Sequence, residues 1–315
     1  MLYNVCILKI SYLEEHFTMK KIISLVLVLL MVAFALTACA KKNSDFVAKD
    51  ATDLIQEDFG IAVKKGNTEL LEAVNKVIDK WVEDGTMAKY VEYYTDLSDF
   101  EADAEDATEP DAGELKTSWD FGSASETIVV YTESGFAPFE FISNNKVIGV
   151  DIAIMSQVAL DMGKKIEIKD VAFDTIPTCV ENDSGDAVGA AGMTITDERK
   201  ETVDFSSIYY SLTLVVVSDK DKAITSVKDL AGLKVAVQEG TSGDLIISEA
   251  IKTEGYKYTV ENDDGEEEEI VVKAEGAEVV RYKQYALALE DLKSGRVDAI
   301  LMDKLPALTM LAVAD

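Results

Sequence analysis

Histidine is almost absent from this sequence. The 315 residues contain a single histidine, His16, which lies ahead of a segment that we expect to be removed. Histidine general-base catalysis, serine triads and histidine-ligated zinc sites therefore have no histidine to use in the mature chain. We expect neither a metal nor a cofactor.

Positive charge is also scarce. Lys and Arg together number 30 against 59 Asp and Glu, which gives a formal net charge of −29. Such a chain is repelled by phosphate backbones and anionic headgroups, so nucleic acid is excluded as a partner. The apolar content of 48% and the length nevertheless suffice for a folded core and about two domains.

The start of the chain has the pattern of a secretory signal. Two lysines after Met19 precede an apolar run over 22–36, too short for a comfortable transmembrane span. The run ends in Leu-Thr-Ala before Cys39, which resembles the bacterial lipobox, whose cysteine is lipidated. An ordinary cleavage site beside an unrelated cysteine is the alternative. We therefore predict a lipoprotein signal peptide over 19–38.

This signal leads to two further expectations. Residues 1–18 precede a complete signal and are predicted to result from a misassigned start, and 39–44 form the lipidated tether. Cys6 is then lost and Cys39 is lipidated, which leaves Cys179 alone. No disulfide framework is expected.

The rest divides into a short segment, an acidic linker and a long segment. In 45–95, Phe59 to Val63 is typical of a buried strand, and apolar residues recur at helical spacing after an N-cap at Asn67 or Thr68. Residues 96–126 are dominated by Asp, Glu, Ala, Ser and Gly, which predicts a solvated linker.

The long segment, 127–315, alternates strand and helix patterns. The pattern predicts a strand over 127–131, a helix over 150–162, a strand over 165–170 and, near 256–273, a hairpin with an Asp-Gly turn. This alternation indicates an α/β fold with a largely parallel sheet.

Three loops at predicted strand ends carry polar side chains, and ligands of open α/β sheets lie at such ends. Thr194 and Arg199 follow a Gly-rich strand ending at Gly192, where Arg199 could hold a carboxylate or merely begin an exposed helix. Gln238, Thr241 and Ser242 follow the strand over 234–237, where bare N–H groups suit an anion or a simple helix cap. Asp303 ends a buried strand and could meet an ammonium group or cap the next element of the chain.

Together these groups complement a zwitterion. An arginine and an amide nest would neutralise the carboxylate of a free α-amino acid, and Asp303 would neutralise its ammonium group. Phe136 and Phe173 supply apolar walls. Phe139 and Phe141 are better explained as core residues.

Residues 127–315 resemble the family 3 extracellular solute-binding proteins, the amino-acid receptors of ABC importers. The resemblance rests on seven motifs in the order of the family: residues 137–141 (APFEF), 149–152 (GVDI), 192–199 (GMTITDER), 203–206 (VDFS), 227–232 (VKDLAG), 240–242 (GTS) and 295–299 (GRVDA). Val150 and Ala153 depart from the usual signature. The resemblance implies the periplasmic-binding-protein type II fold, with two α/β lobes joined by two hinge strands.

The resemblance also implies roles for the polar residues. Arg199 would hold the ligand carboxylate with Thr194 and the amides of Thr241 and Ser242, Asp303 and the Gly192 carbonyl would take the ammonium group, and Phe136 and Phe173 would sandwich the ligand. Glu133, helped by Gln238, would sense the ligand side chain.

An acid at Glu133 favours lysine, arginine, ornithine, histidine or glutamine as the ligand and disfavours glutamate and aspartate. If Glu133 pairs with a lysine of the protein instead, this preference disappears.

The chain order departs from the family. Residues 59–70 (FGIAVKKGNTEL) are similar to the last segment of the family, yet here they come first, and the chain stops at Asp315 where that segment should begin. We infer a circular permutation in which 60–95 and 127–212 build one lobe and 45–59 and 213–315 the other, with hinge strands near 212–217 and 59–63. A truncated tandem array, completed by segment swapping between molecules, is the competing interpretation.

The sequence thus predicts a monomeric, lipid-anchored extracytoplasmic receptor that delivers an amino acid to an ABC permease with its ATPase. Three other functions stay open: a sensor subunit of a signalling system, an enzyme resembling the cyclohexadienyl dehydratases with Glu133 as its acid or base, and a structural or adhesive lipoprotein.

Overall fold

The computed structural model of the protein describes residues 43–54, 56–102, 108–222, 224–261 and 266–312, with the backbone alone at 261. The predicted signal peptide, Cys39 and residues 1–18 lie outside these ranges. None of the helices in the described ranges combines the length and the apolar character that crossing a membrane requires.

The helices of the described residues are α1 (Thr68–Glu83), α2 (Thr86–Glu101), α3 (Val150–Asp161), α4 (Ile176–Asn182), α5 (Asp197–Lys200), α6 (Ser242–Ala250), α7 (Tyr285–Lys293) and α8 (Lys304–Ala312). The strands are β1 (Phe46–Asp50), β2 (Glu57–Phe59), β3 (Ala62–Lys64), β4 (Thr127–Thr132), β5 (Gly135–Phe136), β6 (Glu140–Ser143), β7 (Lys146–Ile148), β8 (Lys165–Asp170), β9 (Asp186–Gly189), β10 (Val203–Phe205), β11 (Tyr210–Leu212), β12 (Leu214–Asp219), β13 (Lys234–Gln238), β14 (Tyr256–Glu261), β15 (Glu267–Val272), β16 (Glu278–Tyr282) and β17 (Ala299–Asp303). Short 3₁₀ turns occupy Asn43–Asp45, Phe173–Thr175 and Val227–Leu230.

Two five-stranded sheets organise these elements, and we call each sheet with its helices a lobe. The sheet of lobe 1 has the order β10-β3-β9-β4-β8, and that of lobe 2 has the order β1-β12-β17-β13-β16. In each sheet a single strand, β3 in lobe 1 and β12 in lobe 2, runs antiparallel to the other four. The predicted α/β class is confirmed. Each sheet is mixed, although four of its five strands run in the same direction.

The reversed strands β3 and β12 each follow a crossing of the chain from one sheet to the other. From β1 in lobe 2 the chain reaches β3 in lobe 1 through β2, and from β10 it returns to β12 through β11. The crossover strands β2 and β11 pair with each other, with Phe59 opposite Tyr210.

The single strand predicted from Phe59 to Val63 is therefore two strands, because the chain passes from the crossover pair into the sheet of lobe 1 at Gly60. There the Gly60 N–H donates to the Met193 carbonyl (3.1 Å). The antiparallel pairing of β14 with β15 and the strand over 165–170 agree with prediction. The predicted Asp-Gly turn between β14 and β15 lies outside the described residues. The strand expected to reach Gly192 ends three residues earlier, at Gly189.

Two helices of lobe 1 differ in burial because α1 has an amphipathic pattern and α3 a uniformly apolar one. In α1, buried residues recur along one face, and Asn67 Oδ1 accepts from the Leu70 N–H (3.2 Å), which confirms the predicted N-cap. The apolar α3 is buried over nearly all of its length, between α1 and the sheet.

The segment 96–126 differs from the solvated linker that its composition predicts. Helix α2 continues to Glu101, and Leu115, Trp119 and Phe121 are partly buried against the core. The Tyr90 hydroxyl donates to the Lys116 carbonyl (2.9 Å). A few large apolar side chains thus hold an acidic segment against α2, even though 108–126 form no helix or strand.

Candidate functional site

A narrow cavity of about 10 Å³ lies between the two lobes, beside the carboxyl ends of β4, β13 and β17. The lobes must therefore part before a molecule larger than water can enter it. Its lining combines acidic, aromatic and hydroxyl side chains with short loops: Glu133, Phe136, Glu140, Phe173, Ala191, Gly192, Thr194, Gln238, Thr241, Ser242 and Asp303. Apart from Arg199, every predicted ligand-binding residue lines this cavity. Their contacts with a ligand remain predictions.

The close approach of Gly192 to an aromatic ring shapes one wall. Gly192 has φ +53°, and a Cβ there would lie 2.5 Å from a ring carbon of Phe136. Its N–H donates to Asp151 Oδ2 (3.0 Å), a fully buried carboxyl whose pKa burial raises to about 7. Only glycine fits this position, and the hydrogen bond to Asp151 fixes the loop.

Phe136 belongs to a group of packed rings, with its centroid 6.3 Å from that of Tyr285 in lobe 2 and 5.9 Å from that of Phe139. Phe139 is completely buried, as expected of a core residue. The predicted wall residues Phe136 and Phe173 are both largely buried while lining the cavity.

Arg199 lies beside the cavity rather than in its lining. Thr196 caps the short helix α5 by accepting from the Arg199 N–H, so the predicted helix start is also present. The guanidinium donates through Nη1 to the Thr194 carbonyl (2.6 Å) and through Nη2 to the Gly240 carbonyl in lobe 2 (2.9 Å). Burial lowers the pKa of Arg199, and the charges of Glu57 and Asp303 oppose that shift. Since a guanidinium has five N–H donors, these two bonds leave others for a ligand.

Glu133 is bound by two amides of lobe 2. Its Oε2 accepts from Gln238 Nε2 and its Oε1 from Gln284 Nε2, both at 2.9 Å. Burial raises the pKa of Glu133, and the two glutamine bonds oppose the increase. Its partners are thus neutral amides rather than the lysine considered from the sequence. Gln284 was missed because it comes after β16 without any motif.

Asp303 and Glu140 contribute buried carboxyl oxygens that lack partners. Within the described part of the chain, Asp303 Oδ1 and both carboxyl oxygens of Glu140 have no hydrogen-bond partner. Burial raises the pKa of both groups well above the ordinary value, and the charge of Glu57 adds to the shift at Asp303. An unpaired carboxyl in such a site favours a cationic partner.

Glu140 was missed by the sequence argument, because it sits between Phe139 and Phe141 in a motif interpreted as core packing. The buried positions of β6 include Glu140 itself. The one available signal was an acid at an inward position of a short strand.

The loop from Gly240 to Ser242 combines a close approach of the lobes with a helix cap. Gly240 has φ +79°, and a Cβ there would lie 2.8 Å from Cβ of Asp174 in lobe 1. Thr241 Oγ1 accepts from the Asp244 N–H at the start of α6 (3.3 Å) and donates to the Gln238 carbonyl (2.8 Å). The capping role left open from the sequence is therefore present at Thr241.

Glu57 is a further residue that the sequence argument missed. Its Oε2 accepts from Thr194 Oγ1 (3.0 Å) and from Ser242 Oγ (2.6 Å), two of the residues predicted to bind the ligand carboxylate. Burial raises the pKa of Glu57, while these two bonds and the charge of Arg199 oppose the increase.

Comparison with known proteins identifies the family of the chain. The model of a family described as bacterial extracellular solute-binding proteins, family 3, matches residues 128–302, more than half of the chain. The arginine-binding extracellular protein ArtP of Bacillus subtilis is 36% identical over 119 residues, which cover 38% of this chain and 46% of ArtP. A probable histidine-binding protein of Neisseria gonorrhoeae is 30% identical over 176 residues, covering 55% of this chain and 58% of that protein.

Among solved structures, the arginine-bound form of truncated ArgBP from T. maritima matches with a TM-score of 0.48 and 32% identity, covering 59% of this chain and 77% of that chain. The chain spans about half the length of the curated relatives named above.

Proposed function

Because the chain belongs to family 3 of the bacterial extracellular solute-binding proteins, we propose that it is the extracytoplasmic receptor of an ABC importer. It binds a free amino acid in the cavity between its lobes and presents the closed form to a permease with its ATPase. Lipidation at Cys39 keeps the receptor at the outer face of the cell membrane, and the receptor acts as a monomer.

The observation that carries this proposal is the distribution of charge around the cavity. The buried carboxyl of Asp303 keeps an oxygen without a partner among the described residues, which suits an ammonium group. Arg199 lies against the neighbouring Thr194 and Gly240 loops, where a carboxylate would meet its remaining N–H donors. A zwitterion meets both needs.

The side chain of the ligand is the finer part of the proposal. Glu133 and Glu140 both line the cavity, and the described lining contains no lysine or arginine. A cationic side chain is therefore favoured over an anionic one, with an amide as the neutral alternative. The relatives described as arginine- and histidine-binding proteins agree with this preference.

Closure couples binding to transport. The lining comes from both lobes, so all of its contacts are available to a ligand only when the lobes are together. Binding then shifts the equilibrium between open and closed forms. The hinge is the crossover pair β2 and β11, which lies at the start of the predicted segments 59–63 and 212–217, since most of those segments belongs to the two sheets.

The test is a thermal-shift screen of the full chain against the standard amino acids, ornithine and cystine, with the molar mass measured on the same sample. A ligand that binds only the folded protein raises the Tm by mass action. The proposal predicts a clear increase with a cationic or amide amino acid on a monomer. An unchanged Tm with every amino acid would refute it.

We propose further that the chain order is a circular permutation of the family order. Support comes from where the first segment lies: β1 pairs with β12 in the sheet of lobe 2, and β3 pairs with β9 and β10 in lobe 1. Helices α1 and α2 pack against α3 in the same lobe. The first segment thus pairs with strands of both sheets, as the permutation requires.

A protease site placed at 111–113, an exposed part of the linker, tests the permutation. After cleavage the two fragments should elute together with the mass of one chain, because β1, β2 and β3 remain paired with partners from the second fragment. Two intact chains exchanging segments, seen as a dimer before cleavage, would instead support the truncated array.

A further inference from the structure

Glu57 is a buried acid on a crossover strand. In β2, Glu57 and Phe59 point inward and Asp58 is half-buried, as the two-residue period of a strand dictates. An ionised carboxylate at a buried position costs free energy unless charge and hydrogen bonds compensate it. The compensation that Glu57 receives is therefore informative.

That compensation comes from both lobes. Thr194 lies after β9 in lobe 1, Ser242 begins α6 in lobe 2, and both hydroxyls donate to the same oxygen, Glu57 Oε2, at 3.0 and 2.6 Å. A single oxygen on the crossover strand thus joins two loops that line the cavity from opposite lobes.

Arg199 holds the same two loops by their backbones. Its guanidinium binds the carbonyl of Thr194 and the carbonyl of Gly240, two residues before Ser242. Glu57 lies within electrostatic reach of Arg199. Each loop is therefore held twice, by an anionic side chain through its hydroxyl and by a cationic side chain through its carbonyl.

The hydroxyl bonds have a consequence for the ligand. A hydroxyl carries one O–H donor, and those of Thr194 and Ser242 are both directed to Glu57. A ligand carboxylate is then met by backbone N–H groups and by Arg199 rather than by these hydroxyls.

We propose that Glu57 is a positioning residue of the ligand site, which fixes the Thr194 and Ser242 loops of the two lobes in the arrangement that receives the ligand carboxylate. The proposal rests on the amino-acid-binding function proposed above. Glu57 contacts no ligand itself; it acts through the two loops.

The experiment compares the full-length wild type with Glu57→Ala, Glu57→Gln and the matched control Asp58→Ala. Asp58 is the next acid on the strand, and its Oδ1 accepts from Ser211 Oγ (2.6 Å) within the crossover pair, away from the cavity. The first readout is hydrogen–deuterium exchange of the ligand-free protein over 193–196 and 240–245. The second is the Kd for L-arginine.

In the ligand-free protein, Glu57→Ala should accelerate exchange in both segments, one in each lobe. Glu57→Gln should restore the wild-type rates, because its amide oxygen accepts both hydroxyls, and Asp58→Ala should leave both segments unchanged. Unaltered exchange in either segment of Glu57→Ala would overturn the proposal, whether or not any amino acid binds.

For L-arginine, Glu57→Ala should raise the Kd about tenfold or more, as expected for a lost hydrogen bond to a charged group, and Glu57→Gln should recover most of that loss. Adding Glu57→Ala to the Thr194→Val, Ser242→Ala double variant should weaken binding no further, because the three side chains act as a unit. Fully additive losses would contradict the proposal, whereas a wild type that binds no amino acid would instead refute the proposed function.

Discussion

Two groups of charged residues at the cleft differ in how many of their hydrogen-bonding atoms have partners. Glu57 and Arg199, the bound pair, each make two hydrogen bonds that join the lobes. Glu140 and Asp303, the unpaired acids, keep carboxyl oxygens without partners among the described residues. The bound pair therefore stabilises the contact between the lobes, while the unpaired acids reduce stability in favour of a cationic ligand.

The largest effect is expected from Asp303→Asn. The ligand ammonium group would lose its buried counter-charge, which typically costs about 3–5 kcal/mol, so the Kd for L-arginine should rise on the order of a hundredfold or more. The ligand-free protein should be as stable as the wild type or more so, because an unpaired buried acid has been neutralised. Calorimetric titration and urea unfolding measure the two quantities.

Asp298→Asn is the control for this change. Asp298 accepts from Lys222 Nζ (3.2 Å) and from the Lys234 N–H (3.0 Å), and these contacts lower its pKa. Its substitution should lower stability and leave the Kd alone. If Asp303→Asn lost as much stability as Asp298→Asn, the distinction between unpaired and hydrogen-bonded acids would be wrong.

The next effect is a pH dependence that arises from Asp151. Its folded-state pKa of about 7 lies above the ordinary value of 3.8, so the unfolded state releases the proton first as pH rises. Protonated Asp151 therefore contributes at most about 4 kcal/mol to the free energy of unfolding. This contribution is complete below about pH 4 and is lost by about pH 7. Asp151→Asn should remove this slope because an amide does not titrate in this range, and its amide oxygen can still accept from the Gly192 N–H. Equal slopes in wild type and variant, from urea midpoints across this range, would contradict the assignment.

Arg199→Ala should also lower the free energy of unfolding, as Asp298→Asn does, but its effect is smaller than the preceding ones. The variant leaves Glu57 buried near Asp303 without a compensating positive charge, and stability should fall by about 1–3 kcal/mol. Lys200→Ala, which removes an exposed pair with Asp197 (3.1 Å), should change stability by no more than a few tenths of a kcal/mol. If Arg199→Ala were as stable as Lys200→Ala, Arg199 would not belong to the bound pair.

Sequence reasoning located the cavity because its main residues obey local rules. Thr194, Thr241 and Asp303 each come shortly after or at the end of an apolar strand, and such ends gather at one edge of a sheet. The same rules gave α1 with its cap and the strand β8 at its observed bounds.

The features that the sequence did not reveal depend on contacts between distant segments. Glu57 and Ser242 are 185 positions apart along the chain. They meet only because the crossover strand brings the first segment between the lobes. Gln284 has no pattern of its own, and Glu140 lies between two core aromatics. Composition also misjudged the linker, since three apolar side chains, among them Trp119, pack against the core within an acidic stretch.

The most direct test of the account is a calorimetric titration of the full chain with L-arginine and, under identical conditions, with L-glutamate. A cleft with unpaired acids and a bound Arg199 predicts saturable one-to-one binding of arginine and no detectable heat with glutamate. Equal or tighter binding of glutamate would contradict it.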